Sequence, residues 1–162
     1  MYQIYCDSAI QPINPCGLLT WAFLVKHEKE TIYSEAQIVG WGRGQTSNKG
    51  EALAVLAAMN WLLQLPLEKR FPVLLHSDSQ LTVKHCTGQC ACNDETLLGI
   101  HGLIERAQFK YGKKITIHWI PREKNKEADE LSRSPYVGNE AALKFLKDHK
   151  LDVQFDGDDL PW

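Results

Sequence analysis

No stretch of this 162-residue chain stays apolar long enough to cross a bilayer as a helix, which removes the transmembrane class. Neither sign of charge dominates either: 18 Lys and Arg against 20 Asp and Glu leave a net charge of -2. That excludes a global attraction to nucleic acid, so any such binding has to come from a local basic face. Internal repeats and low-complexity blocks are also missing, which removes solenoids and long linkers. The first strand candidate begins at Tyr2 and leaves no room for a signal peptide, so the expectation is a cytoplasmic protein. The cysteines, Cys6, Cys16, Cys86, Cys90 and Cys92, are odd in number and contain no C-x-x-C unit. Reduced thiols are therefore expected, and the run with His85, Cys86, Cys90 and Cys92 lacks the paired spacing of the common zinc folds.

What is there suits a single soluble domain with a real core, at 44% apolar and 23% charged residues. Residues 2–6, 19–27 and 31–39 read as strands, the last two joined by the short polar turn Glu28-Lys29-Glu30 as an antiparallel hairpin. A loop over 40–50, rich in glycine and polar residues, precedes a helix over 51–65. That helix is apolar nearly all round (Leu53, Val55, Leu56, Met59, Trp61, Leu62, Leu63), the mark of an element buried between layers, and Pro66 ends it. A strand over 73–77, a helix from Ser79, a break over 88–93, a helix over 94–111, an alternating strand over 115–120 and a helix holding Asp129 follow. The order β, β, β, α, β, α, α, β, α predicts an α/β protein with a five-stranded mixed sheet, three antiparallel strands and then parallel ones, flanked by helices. The expected domain covers residues 1–134, with a C-terminal helix and acidic tail over 135–162.

Asp7, Glu51, Asp78 and Asp129 each fall where an element is expected to begin or end. Asp7 closes the run Ile4-Tyr5-Cys6 and Asp78 closes Val73-Leu74-Leu75-His76-Ser77, while Glu51 and Asp129 open helices. Open α/β sheets gather functional groups at strand carboxyl ends and at the helix starts that follow, so these carboxylates would share one rim. Hard oxygen ligands of this kind suit Mg²⁺ or Mn²⁺ better than zinc.

Thr46-Ser47-Asn48-Lys49-Gly50-Glu51 resembles the T-N-N-x-x-E segment of type 1 ribonucleases H, and Ser77-Asp78-Ser79-Gln80 resembles their D-S-x segment. Pro121-Arg122-Glu123-Lys124-Asn125-Lys126-Glu127-Ala128-Asp129 is similar to their P-R-E-x-N-x-x-A-D segment. With Asp7 after a first strand, the resemblance runs in order from residue 1 to about 134. It implies the ribonuclease H-like fold and an endoribonuclease that cuts the RNA strand of RNA/DNA hybrids with two Mg²⁺ ions, leaving 5′-phosphate and 3′-hydroxyl ends. Two ions about 3.5 to 4 Å apart activate water on one side of phosphorus and stabilise the leaving oxygen on the other. On this reading Asp7 bridges the ions, Glu51 and Asp78 hold the leaving-group ion, and Asp129 holds the ion that delivers water.

The same resemblance places Ser47 and Asn48, joined by Asn14, against ribose hydroxyls, and Thr46 and Asn93 against a DNA-strand phosphate. Turn formation and helix capping explain Thr46, Ser47 and Asn48 equally well. Ser8 stands where the family usually has glycine, and Asn14-Pro15-Cys16-Gly17-Leu18 replaces a glycine-rich turn. The basic protrusion of many members is reduced to residues 88–93, so hybrid binding would rest on Lys49, Lys84, Lys124 and Lys126 and be salt-sensitive. The histidine many members carry in the loop before Asp129 is missing, and Arg122 is the nearest substitute, while His118 reads as a sheet residue. Two alternatives stay open: a catalytically altered nucleic-acid-binding protein, and another metal-dependent nuclease of the same fold.

The chain closes on Phe155-Asp156-Gly157-Asp158-Asp159-Leu160-Pro161-Trp162, which resembles the acidic tip of bacterial single-stranded-DNA-binding proteins. That implies a protein partner docking on Phe155, Asp158, Asp159, Leu160, Pro161 and Trp162 of an otherwise monomeric chain. A disordered end, or one folded back on a basic groove, accounts for the same composition.

Overall fold

The computed structural model describes residues 1–137, together with residues 140, 144 and 148 and the backbone of 155–156. The tail residues Asp158, Asp159, Leu160, Pro161 and Trp162 lie outside the described residues. The expected helix over 139–150 is described only at 140, 144 and 148, which are helical.

The sheet is mixed, as its sequence pattern implied. Strands β1 (Tyr2–Gln11), β2 (Leu18–His27) and β3 (Glu30–Trp41) pair antiparallel, and β4 (Val73–Ser77) and β5 (Ile115–Trp119) add parallel on the other side of β1. A two-residue strand, β6 (Phe155–Asp156), pairs with Gly40 and Trp41 on the outer edge of β3, giving the order β5-β4-β1-β2-β3-β6. The β2–β3 turn is tighter than the three polar residues suggested. His27 pairs with Glu30, and Glu28 and Lys29 both take positive φ, the geometry that matches the twist of a two-residue hairpin.

Side chains of a strand alternate between faces, and each face here meets its own helices. Helix α1 (Ser47–Gln64) and helix α3 (Glu95–Tyr111) cover one face, over Ile4, Cys6, Phe23, Val25, Val73 and Leu75. Full burial of an Ile, Leu or Phe side chain contributes about 1.5–3 kcal/mol, so this layer carries most of the stability. Between them in sequence lies the short helix α2 (Gln80–Cys86), and Gly112 at φ 73 ends α3 in the left-handed conformation that glycine adopts freely. Helix α4 (Lys126–Arg133) packs on β1 and β2 from the opposite face, beside a smaller cluster of Leu18, Trp41 and Tyr136. Thr20 Oγ1 donates to Ser132 O at 2.6 Å and the Tyr136 hydroxyl donates to Leu18 O at 2.8 Å, fixing α4 against β2.

Two expected boundaries shift. The first strand does not stop at Cys6 but runs to Gln11, because β2 supplies antiparallel partners for every residue from Tyr2 to Gln11. The pairing with β4 does stop there, at Cys6 opposite Ser77, so Asp7 is the first residue of β1 beyond its parallel neighbour. Helix α1 begins at Ser47 rather than Glu51, since Thr46 Oγ1 caps it by accepting from Lys49 N at 3.1 Å.

Candidate active site

Asp7 and Asp78 come together because β1 and β4 run parallel and lose each other at Cys6 and Ser77, each strand then presenting an aspartate. Glu51 reaches the same point from the second turn of α1. The close approach of α1 to β1 depends on Gly50. A Cβ built there would lie 2.7 Å from Leu19 Cδ1, 2.7 Å from Ser8 Cβ and 2.8 Å from Ser8 Oγ, contacts no real side chain tolerates. Oxygens of Asp7, Glu51 and Asp78 lie within 4.8 Å of one another, and no other set of three or more such ligating groups does so among the described residues.

The surroundings hold these carboxylates without neutralising them. Ser8 Oγ donates to Glu51 Oε1 at 3.0 Å, and Ser8 N donates to Asp7 Oδ1 at 2.8 Å. Asn125, fully buried, donates from Nδ2 to Cys6 O at 2.9 Å and to Asp78 Oδ2 at 3.4 Å. Burial, then the charge of Asp78, pushes the Asp7 carboxyl up to about 7. Burial followed by the charges of Asp7 and Asp78 raises Glu51 well above the ordinary carboxylate range, and burial also raises Asp78. Glu51 Oε2 is buried with no hydrogen-bond partner among the described residues. An orphaned, buried oxygen among three crowded carboxylates is a strong fit for a hard divalent cation, which would replace the missing counter-charge.

Asp129 reaches this cleft from α4 but stands outside the 4.8 Å set. Its Oδ1 accepts from Arg133 Nη2 at 2.9 Å and from Arg122 Nη2 at 3.2 Å. The cleft, about 480 Å³, is lined by all four carboxylates and by Ser8, Asn14, Ser47, Arg122 and Arg133. Of the expected substrate contacts it thus gathers Asn14, Ser47 and Arg122. Asn14 Nδ2 donates to Ser47 Oγ at 3.1 Å, tying the loop after β1 to the start of α1. Thr46, Asn48 and Asn93 do not line it: Thr46 caps α1, while Asn48 and Asn93 are exposed. His118 sits in β5 opposite His76, rings 4.4 Å apart, as a sheet residue should.

Three residues of the site had no role in the motif reading: Ser8, Asn125 and Arg133. Arg133 is legible as the i+4 partner of Asp129 on a helix, whereas the bonds of Ser8 and Asn125 join residues 43 and 47 positions apart.

Residues 20–134 match the model of a family described as reverse transcriptase-like. The chain belongs to that family. The match contains Glu51, Asp78 and Asp129, while Asp7 lies ahead of it and joins them through β1. Among solved structures, a ribonuclease H1 named LC11, in complex with an RNA/DNA hybrid, is 25% identical, with a TM-score of 0.73 over 81% of this chain and 93% of that one. The ribonuclease H1 of Halobacterium salinarum aligns at 22% identity and a TM-score of 0.69, covering 80% of this chain and 92% of its own. The N-terminal ribonuclease H domain of a Mycobacterium tuberculosis protein aligns at 19% and 0.70, covering 80% and 88%. The fold of this reverse transcriptase-like chain is that of the type 1 ribonucleases H.

Proposed function

We propose that the chain is an endoribonuclease that hydrolyses the RNA strand of RNA/DNA hybrids, leaving 5′-phosphate and 3′-hydroxyl ends. The observation that carries this reading is the set of buried Asp7 and Glu51 with half-buried Asp78, three carboxylates within 4.8 Å with an unpartnered oxygen, opening on a cleft. Asp7, Glu51, Asp78 and Asp129 would hold two Mg²⁺, or Mn²⁺ in their place. Bound there, the ions would lower the pKa of an attacking water and offset charge on the leaving oxygen.

The protein's own groups prepare the rest. Ser8 occupies Glu51 Oε1 and so leaves the buried Oε2 unpartnered, and Asn125 orients Asp78 through its Oδ2. Ser47 Oγ accepts from Asn14, which frees its own hydroxyl proton to meet a ribose 2′-hydroxyl, the group that tells RNA from DNA. Arg122 is well exposed at the cleft edge, where a guanidinium suits a phosphate of the scissile strand. The chain passes from α2 to α3 through residues 87–94 alone, in keeping with a form that lacks the basic protrusion. The acidic tail beyond residue 156 would dock a protein partner.

The LC11 structure with its bound hybrid supports this substrate class. A second reading, hybrid binding without cleavage, draws on Asp129, which two arginines already occupy. Cleavage of a hybrid carrying labelled RNA, with and without Mg²⁺, beside single-stranded RNA and double-stranded DNA, decides between them. Metal-dependent internal cuts confined to hybrid RNA support the nuclease; tight hybrid binding with no cuts in Mg²⁺ or Mn²⁺ supports the second reading.

A further inference from the structure

A second concentration of ligating side chains lies where α2 gives way to α3. His85 and Cys86 end α2, Cys90 and Cys92 sit on the 87–94 connection, and His101 projects from α3; all five line one cleft of about 480 Å³. The spacing of the cysteines alone does not suggest a site, but His101, brought in by packing, changes the donor set. Cys86 Sγ lies 3.5 Å from His101 Nδ1, and the His85 and His101 rings meet edge-on at 4.9 Å.

That separation is informative. A tetrahedral zinc ion with sulfur at about 2.3 Å and nitrogen at about 2.1 Å has a sulfur-to-nitrogen edge of about 3.6 Å. The Cys86–His101 pair, held together by its hydrogen bond, stands at 3.5 Å and needs no movement to serve as that edge. Burial and the neighbouring His85 lower the pKa of His101. Burial pushes the Cys86 thiol up to about 12. The other donors are close but not converged, since these groups do not form a set of three within 4.8 Å. Cys90 and Cys92 are half-buried free thiols on the same connection, which holds Gly88 at φ 71 with nothing within 4 Å of its Cβ position.

We propose that Cys86 and His101, completed by the thiols of Cys90 and Cys92, bind one zinc-class divalent cation and that the cation pins the 87–94 connection. Three thiolates and an imidazole form a donor set that prefers zinc over Mg²⁺, so this site and the carboxylate cleft would not compete for one ion. A disulfide accounts less well for the geometry, because the partner facing Cys86 is an imidazole.

The test is a Co²⁺ titration of the reduced, metal-free full chain in excess Mg²⁺, followed by absorption. Expected are one equivalent bound, sulfur-to-cobalt charge transfer with tetrahedral visible bands, and displacement by Zn²⁺. Asp78→Asn should leave the bands unchanged. Cys86→Ser and His101→Ala should each weaken binding at least tenfold. Cys90→Ser, on the connection, and Cys92→Ser, which also packs against the main core and is read beside a check of its fold, should each reduce the charge-transfer intensity. Octahedral bands alone, bands that survive Cys86→Ser and His101→Ala, or no metal uptake by the reduced chain, would each overturn the proposal.

Discussion

Asp7, Glu51 and Asp78 on one side of the cleft and Asp129 on the other are four acids in one cavity under opposite electrostatic conditions. The three are packed within 4.8 Å, their charges opposed by burial and by one another. Asp129 instead accepts from two guanidinium groups, both on the exposed side of the cleft. A rigid strand pair and a capped helix enforce the first arrangement, whereas the second depends on long side chains that solvent screens. The acids held by neutral donors, without a salt bridge among the described residues, are thus the ones held most firmly, and they store a demand for positive charge. Asp129 has that demand met by groups that a metal or a phosphate can displace.

The largest effect should come from breaking the crowded side. Asp78→Asn is expected to lower hybrid cleavage in Mg²⁺ by about three orders of magnitude, measured as kcat/KM on labelled RNA. Retention of most of the activity would sink the assignment of the triad as the metal site. Stability without metal probes the same crowding by another route. The Asp7 carboxyl titrates at about 7 in the folded chain against 3.8 ordinarily, so between those values the folded state holds a proton that the unfolded state has released. Stability from this group is therefore complete below about pH 4 and is lost as pH rises towards 7. His76, which burial holds at about 4, acts in the opposite direction below pH 6.5 and is common to wild type and variant. In EDTA, the Tm at pH 5 minus that at pH 8 should exceed that of Asp7→Asn by about 5 °C or more, and Mg²⁺ at pH 8 should shrink the gap. Equal differences in the two proteins would show that Asp7 is not under that strain.

Smaller effects sharpen the contrast. Asn125→Ala removes a buried amide that serves both Cys6 O and Asp78, and should cost about 1–3 kcal/mol in urea unfolding and weaken Mg²⁺ binding by calorimetry. Unchanged affinity would mean that Asp78 orients itself. Smallest, Arg133→Ala frees Asp129 from one competitor and should lower the Mg²⁺ concentration at half-maximal cleavage about two- to fivefold, since exposed ion pairs contribute about 1 kcal/mol or less. A higher requirement would mean that Arg133 positions Asp129 for the ion.

Much of this arrangement was readable in the residues, for reasons that can be named. Strand and helix types followed from alternation in 115–119 and from the all-round apolar stretch after Glu51, because burial imposes those patterns. Glu51, Asp78 and Asp129 were legible because each follows a motif whose local conformation is set nearby. Boundaries failed where the deciding partner is remote. Residues 7–11 carry no clear strand pattern and are extended because β2 lies alongside, and β6 forms only because the edge of β3 is there to receive it. The first turn of α1 was hidden since its polar residues cap and line the cleft instead of continuing the apolar stripe. Asn125 was visible as a letter in a motif but not as the residue that bridges β1 to Asp78, and the zinc-class donor set could not be counted until α3 delivered His101.

Gly50 leaves one last implication. The missing methyl leaves room for the Ser8 and Leu19 side chains between helix and strands, so the gap between Glu51 and Asp7 is set by the thickness of an interlayer seam rather than by either acid. The site therefore works like a caliper whose jaws are two layers of the fold. A single added carbon at Gly50 would force the two layers apart and widen it with all of the acids still present in the sequence.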